Sequence, residues 1–389
     1  MLQLIHFFLS QGWQVLFGTT AIKNDNSLDL TCLGVEEVRI ELNNSSFDKL
    51  LQNMNPTIVL FDRFMTEEQF GWRISEFCPE TMKVLDTEDL HCLRKVRQEA
   101  LQKGIKFSSD KLLISDIAKR EIASIYRCDI SLIISTFEME LLEEVFKVDE
   151  NLLYHLPFFF NKISEVSRKL WKTYKERFHF VSIGNFLHSP NLDATKYLKQ
   201  EVWNRIRQKL PEVELHIYGA YPSQQVLGFH NPNKGIYIHG YTENANKVIE
   251  NARILLAPLR FGAGIKGKLT RAMLNGTPSV TSSIGAEGMH GDLPWNGFIE
   301  DCLDDFVEKS VLLYSNQKIW EEAQLNGLHI INQLYDRDKI EVKFLDTLHQ
   351  IFENLEQGRS QNFTGQMLHH HSLKSSKYMS KWIEEKNKK

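Results

Sequence analysis

ARILLAPLRFGAGIKGKLTRAMLNGTPSVTSSIGAEG, from Ala252 to Gly288, is the stretch on which the fold turns. Ile254-Leu255-Leu256-Ala257 is a continuous apolar run, as expected of a strand buried on both faces of a parallel sheet. The glycine-rich turn Gly262-Ala263-Gly264-Ile265-Lys266-Gly267 follows, and then a short helix. Leu269, Ala272, Met273 and Gly276 fall at i, i+3, i+4 and i+7 and share its inner face; Lys268, Arg271 and Asn275 fall on the other. Gly276 stands where a C-terminal cap glycine belongs, and Pro278 stops the helix from continuing. A second short strand begins at Ser279-Val280. Such a strand, turn, helix, strand unit offers free N–H groups and partial positive charge at its helix start, a setting for phosphate or another anion. Lys266 and Lys268 add to that field.

The chain around this unit has 389 residues, enough for two domains and a short appendage. With 42% hydrophobic and 25% charged residues it has the composition of a folded globular protein, and a net charge of −4 gives no reason to expect nucleic acid. Five scattered cysteines (Cys32, Cys78, Cys92, Cys128, Cys302) show no metal spacing and suggest reduced thiols, hence a cytoplasmic setting. No apolar run approaches the roughly 20 residues of a membrane span, which leaves peripheral membrane contact open. The segment Leu2–Leu9 is apolar and helix-like but lacks the basic start of a signal peptide. It reads as a domain's first helix with the preceding strand missing.

Further strands are expected at Gln14–Phe17, Val38–Leu42, Thr57–Phe61, Met82–Leu85, Ile130–Ile134 and Leu153–Phe160, with amphipathic stretches between most of them. After a charged connection, residues 161–177, the alternation restarts at Phe178–Ile183, Val213–Tyr218, Ile236–His239, Ile254–Leu256 and Ser279–Val280. The fold class expected is therefore α/β, two Rossmann-like domains with parallel sheets. The first covers 1–160 and lacks its first strand; the second covers 178–330. A C-terminal helix, 331–357, and a polar lysine-rich tail, 358–389, follow. The tail reads as a solvated, partly disordered segment, with a partner or membrane-surface helix as the alternative. Its His369-His370-His371 run has no carboxylate or cysteine framing it and reads as composition rather than a metal site. Ser135 and Glu138 fit a capping box.

Taken alone, Gly262-x-Gly264-x-x-Gly267 matches the dinucleotide fingerprint, with Glu287 about 20 residues further on as the ribose-binding acid. An NAD-type enzyme is thus one reading. The fingerprint belongs, however, in the first strand–helix turn of its domain, and several strands precede this one.

The fuller pattern resembles the GT-B glycosyltransferases, specifically the large retaining group called family 4, from about Leu2 to Leu355. Phe180–Asn185 followed by His188-Ser189-Pro190-Asn191 is similar to that family's first donor-domain strand and turn, and Leu215–Gly219 to its second strand. His239-Gly240-Tyr241 resembles the strand and loop lying against the nucleobase, and Gly262–Gly288 the phosphate loop with the helix behind it. Leu85–His91 is similar to an acidic-histidine turn in part of the family. The resemblance implies a two-domain clamp, a nucleotide-sugar donor, a glycan, lipid or small-molecule acceptor, and no metal or other cofactor. Donor contacts would fall to Gly184, Asn185, Tyr241, Gly262, Gly264, Ile265, Lys266, Lys268 and Arg271, and a catalytic part to His91. The plainer role for His91 is a hydrogen bond to its own acidic turn.

The chain departs from the family at two acidic positions eight apart, here Ala263 and Arg271. The second acid normally accepts the ribose hydroxyls, and an arginine has no acceptor. Arg271 is left to contact a phosphate or to point into solvent. This departure and the missing strand bear on catalysis rather than on fold, so a retaining glycosyltransferase and a GT-B-shaped binding protein without transfer activity both stand.

Overall fold

The computed structural model describes residues 1–23 and 27–388, with the side chains of residues 371–373 excepted. The chain divides into two compact units. Unit 1 gathers Met1–Cys92, Ser109–Phe158 and Glu341–Lys389, and unit 2 gathers Leu93–Ser108 and Phe159–Ile340.

Unit 2 holds a six-stranded sheet of β7 (Phe178–Ile183), β8 (Leu215–Tyr218), β9 (Ile236–Gly240), β10 (Ala252–Ala257), β11 (Ser279–Thr281) and β12 (Gly297–Ile299). The order is β12-β11-β10-β7-β8-β9 and every pairing is parallel. Strand order therefore reverses between β7 and β10, and in such sheets the crevice at the carboxyl ends of those strands receives the ligand. Phe180, Leu215, Ile217, Ile254, Leu256 and Val280 are buried from the sheet, and Trp203, Phe306, Leu313 and Trp320 pack over them from helices. This core explains the unbroken apolar runs.

Unit 1 contains β1 (Leu16–Thr19), β2 (Glu36–Arg39), β3 (Ile58–Asp62), β4 (Met82–Asp86), β5 (Ile130–Ile133) and β6 (Leu153–His155). Its strands are parallel but fall into two sheets, β1-β2 and β3-β4-β5-β6. Among the described residues no strand joins β1 to β3. The strand expected over Leu153–Phe160 stops at His155; Phe160 instead bridges Asp336 in unit 2. The Ser135–Glu138 capping box does not form, because Glu138 is buried and its Oε1 accepts the Leu90 N–H at 3.0 Å.

The tail departs most from expectation. Phe363–Asn387 is one helix, packed against the helices Arg63–Phe77 and Asp116–Arg127. Arg73 donates to Ser380 Oγ at 3.1 Å, Lys377 pairs with Glu76 at 2.7 Å, and the Ser45 N–H donates to Glu384 at 3.1 Å. Just before it, Arg359 grips Asp129 through two bonds of 2.7 and 2.8 Å. A solvated segment has no such partners, and these tertiary contacts override its polar composition. Within the histidine run, His369 is tied to Lys83 and to the Arg127 carbonyl, while the His371 side chain lies outside the described residues.

Candidate active site

The loop after β10 is built from its glycines and held from both sides. Gly264 has φ +62°, a backbone region that favours glycine. Arg97 donates to the Gly262 carbonyl at 2.9 Å and pairs with Glu287 through two bonds of 2.8 and 2.7 Å. Both side chains are largely buried, so the clamp fixes the loop's first residue. Ile265 is buried, and Lys266 folds back to place Nζ 2.7 Å from the Gly264 carbonyl.

The helix Gly267–Leu274 starts directly after this loop. Leu269, Ala272 and Met273 are fully buried, as the spacing predicts. At its end Gly276, at φ +61°, donates to the Met273 carbonyl and Thr277 to the Ala272 carbonyl, a Schellman cap.

Lys268 points toward the first turn of the helix Ser189–Tyr197, which follows β7. Its Nζ lies 2.7 Å from Asn191 Oδ1, and Asn191 Nδ2 donates to the Asn185 carbonyl at 3.0 Å. The Asn191 amide is thereby fixed in orientation, and it sits so close that a Cβ on Gly184 would meet it at 2.6 Å. Nearby, Arg260 of the loop after β10 pairs with Asp193 of the helix Ser189–Tyr197. Burial pulls the Lys268 ammonium down to about 8. An anion arriving at the crevice would restore the charge that burial disfavours.

Of the donor residues read from sequence, Gly184, Asn185, Gly262, Gly264, Ile265 and Lys266 belong to the two loops at the strand-order reversal, and Lys268 is the second residue of the helix that follows one of them. Tyr241 follows β9 and is exposed. Arg271 is exposed, and its guanidinium makes no hydrogen bond or ion pair among the described residues. His91 lies in unit 1, where Nε2 is 3.4 Å from Asp89 and the ring meets Phe64 edge-on at 5.6 Å. The His91 and Cys92 N–H groups both donate at 2.9 Å to Glu121, so a buried carboxylate caps the start of the helix His91–Gln102. Burial raises Glu121 and nearby Asp86 to about 7 each, with Glu88 adding to the effect on Asp86. A cavity of about 630 Å³ in unit 1, lined by Lys83, Arg127, Arg359 and His369 among others, holds none of these residues.

Sequence reading missed Arg97 and did not single out Asn191. Asn191 lies inside a motif that was legible. Arg97 pairs across 190 positions, and nothing local announces it.

The parallel sheet, its reversal between β7 and β10 and the glycine loop with its helix define the class: this is the donor-domain architecture of GT-B proteins. Residues 177–316 match the model of the family described as glycosyl transferases group 1, so the chain carries a glycosyltransferase group 1 domain on a GT-B fold. Sucrose-phosphate synthase from Thermosynechococcus elongatus superposes with a TM-score of 0.66 at 14% identity, covering 90% of this chain and 92% of that one. HepE from Anabaena, in complex with UDP and glucose, gives 0.61 at 12% identity over 89% and 95%. TarM from S. aureus, in complex with UDP among other ligands, gives 0.59 at 16% over 77% of this chain, which spans only 57% of TarM. At such identities the likeness is one of fold. No curated protein matches the chain by sequence.

Proposed function

We propose that the chain transfers a sugar from a nucleoside diphosphate sugar, with UDP as the nucleotide, to a glycan, lipid or small-molecule acceptor. The observation that carries this reading is the Lys268–Asn191 bond between the first turns of the two helices that follow β10 and β7 at the strand-order reversal, one of them opened by a glycine loop. Glycosyl transfer passes through an oxocarbenium-like state while negative charge grows on the departing diphosphate. Helix-start N–H groups and the ammonium of Lys268 would stabilise that charge without a metal. Retention of configuration follows from the resemblance to family 4, with the leaving phosphate taking the proton of the incoming hydroxyl. UDP is chosen because HepE and TarM are similar folds in complex with it. The setting proposed is cytoplasmic, with peripheral membrane contact; among the described residues no helix is long and apolar enough to cross a membrane.

One observation favours a second reading, a binding protein without transfer activity. The helix Gly267–Leu274 carries no carboxylate, and Arg271 stands exposed where a ribose acceptor is expected. The dinucleotide reading finds no such support, since its loop follows the fourth strand of the unit and Glu287 is engaged by Arg97.

Calorimetric titration of the full chain with UDP, GDP, ADP and NADH tests the donor, and UDP-sugar hydrolysis then separates the two readings. UDP binding with turnover supports the transferase, and UDP binding without turnover the binding protein. Preference for NADH sinks both.

A further inference from the structure

A group of side chains at the other end of the unit 2 sheet takes no part in the proposed transfer. His179 and His216 are the second residues of β7 and β8, and Glu214 immediately precedes β8. They sit where these parallel strands begin, whereas the loop Gly262–Gly267 follows the carboxyl end of β10. Both imidazoles direct Nε2 at the same oxygen, Oε2 of Glu214, at 3.4 Å from His179 and 3.0 Å from His216. One ligand atom from each of the three residues lies within 4.8 Å of the others. A tetrahedral zinc ion with bonds of about 2.0–2.1 Å holds its ligand atoms about 3.3 Å apart. Two of the three edges therefore have nearly that length already.

The surroundings hold His216 in place. Its Nδ1 lies 2.8 Å from Nε2 of His239, the kind of outer partner that fixes the tautomer and orientation of a metal-bound imidazole. With Nδ1 as donor, the Nε2 lone pair faces a carboxylate oxygen, and a cation between them reconciles the two acceptors. The ring of His216 lies next to both Tyr237 and His239, with centroids 5.0 and 5.1 Å away and planes within 10° of parallel. His179 has φ +61°, a left-handed backbone rare outside glycine and found where a side chain must be aimed.

We propose that His179, Glu214 and His216 bind a divalent transition metal of the zinc class, with water in the fourth position, clipping together the starts of β7 and β8. Two imidazoles and one carboxylate suit zinc rather than magnesium or calcium, which take oxygen ligands. The site shares no residue with the donor loops, so it stands or falls independently of the proposed transfer.

The test uses the full chain carrying His370→Gln and His371→Gln, which removes a competing histidine run. Calorimetric titration with zinc chloride is expected to show one equivalent bound, and cobalt(II) to give the visible d–d bands of four-coordination. Glu214→Gln and His216→Ala should each weaken zinc binding at least tenfold with unchanged circular dichroism and UDP affinity. Equal zinc affinity in the parent and in His179→Ala, Glu214→Gln and His216→Ala, or no zinc binding by the parent, would overturn the proposal. So would magnesium binding as tightly as zinc.

Discussion

The Nζ of Lys268 lies 2.7 Å from Oδ1 of Asn191, so one hydrogen bond joins the first turns of the helices Gly267–Leu274 and Ser189–Tyr197, which follow β10 and β7. A charge-assisted hydrogen bond to a diphosphate is worth about 1.5–3 kcal/mol. Lys268→Met is therefore expected to weaken UDP binding about tenfold to a hundredfold by calorimetry. Asn191→Ala should cost less, since the ammonium survives but loses its anchor. UDP affinity in Lys268→Met equal to that of the parent would remove Lys268 from the donor site.

Lys268 also sets a pH dependence. Its free-state value of about 8 is depressed by burial, and a bound diphosphate raises it. Below pH 8 the free and bound forms are both protonated, and UDP affinity is flat with respect to this group. Above pH 8 the free form loses its proton first, so affinity falls, by at most about tenfold per pH unit. Lys268→Arg should abolish that fall, because guanidinium stays charged.

Asp86 gives a stability signature of opposite kind. Its folded value of about 7 exceeds the ordinary carboxyl value of 3.8, so the native state holds a proton that the unfolded chain releases. Stability from this group is present below pH 4 and is lost as pH rises toward 7. Asp86→Asn keeps an acceptor for the Glu88 N–H and removes the buried charge. We expect it to stabilise the protein at pH 8, by about 1–3 kcal/mol in denaturant titration, and to have little effect at pH 4.

Arg97→Met leaves Glu287 buried without its cation, which costs about 3–5 kcal/mol. Replacing both, with Glu287→Leu as the second change, should recover much of the loss. Additive effects in that double-mutant cycle would show that the two residues act separately.

Two glycines make a paired test. A Cβ on Gly276 would clash with the Trp171 ring, and φ there is +61°. Gly276→Ala should destabilise by about 2 kcal/mol or more. Gly358 has open space around it within the helix Leu355–Gln361, so Gly358→Ala should stabilise by about 0.5–1 kcal/mol.

In the donor half β10 is buried along almost its whole length, and that burial is legible as an unbroken apolar run. Phe178–Ile183 has the bounds its apolar run suggests, and the inner face of Gly267–Leu274 follows from spacing alone. β12 escaped notice because Gly297–Ile299 is three residues long between polar flanks. Glu138 looked like a local cap, but its partner Leu90 is 48 positions away. The terminal helix was hidden for the same reason, since Ser380 meets Arg73 across 307 positions. Pattern reports burial and local turns; it is silent on which distant polar group answers another.

The return of Glu341–Lys389 to unit 1 has a consequence for truncation of the chain. Unit 2 is complete in sequence at Ile340, whereas unit 1 also needs Glu341–Lys389. Without that stretch Arg73 lacks its hydroxyl partner and Asp129 its guanidinium. A chain cut before Arg359 would therefore keep every residue of unit 2 while leaving unit 1 without the partners of Arg73 and Asp129.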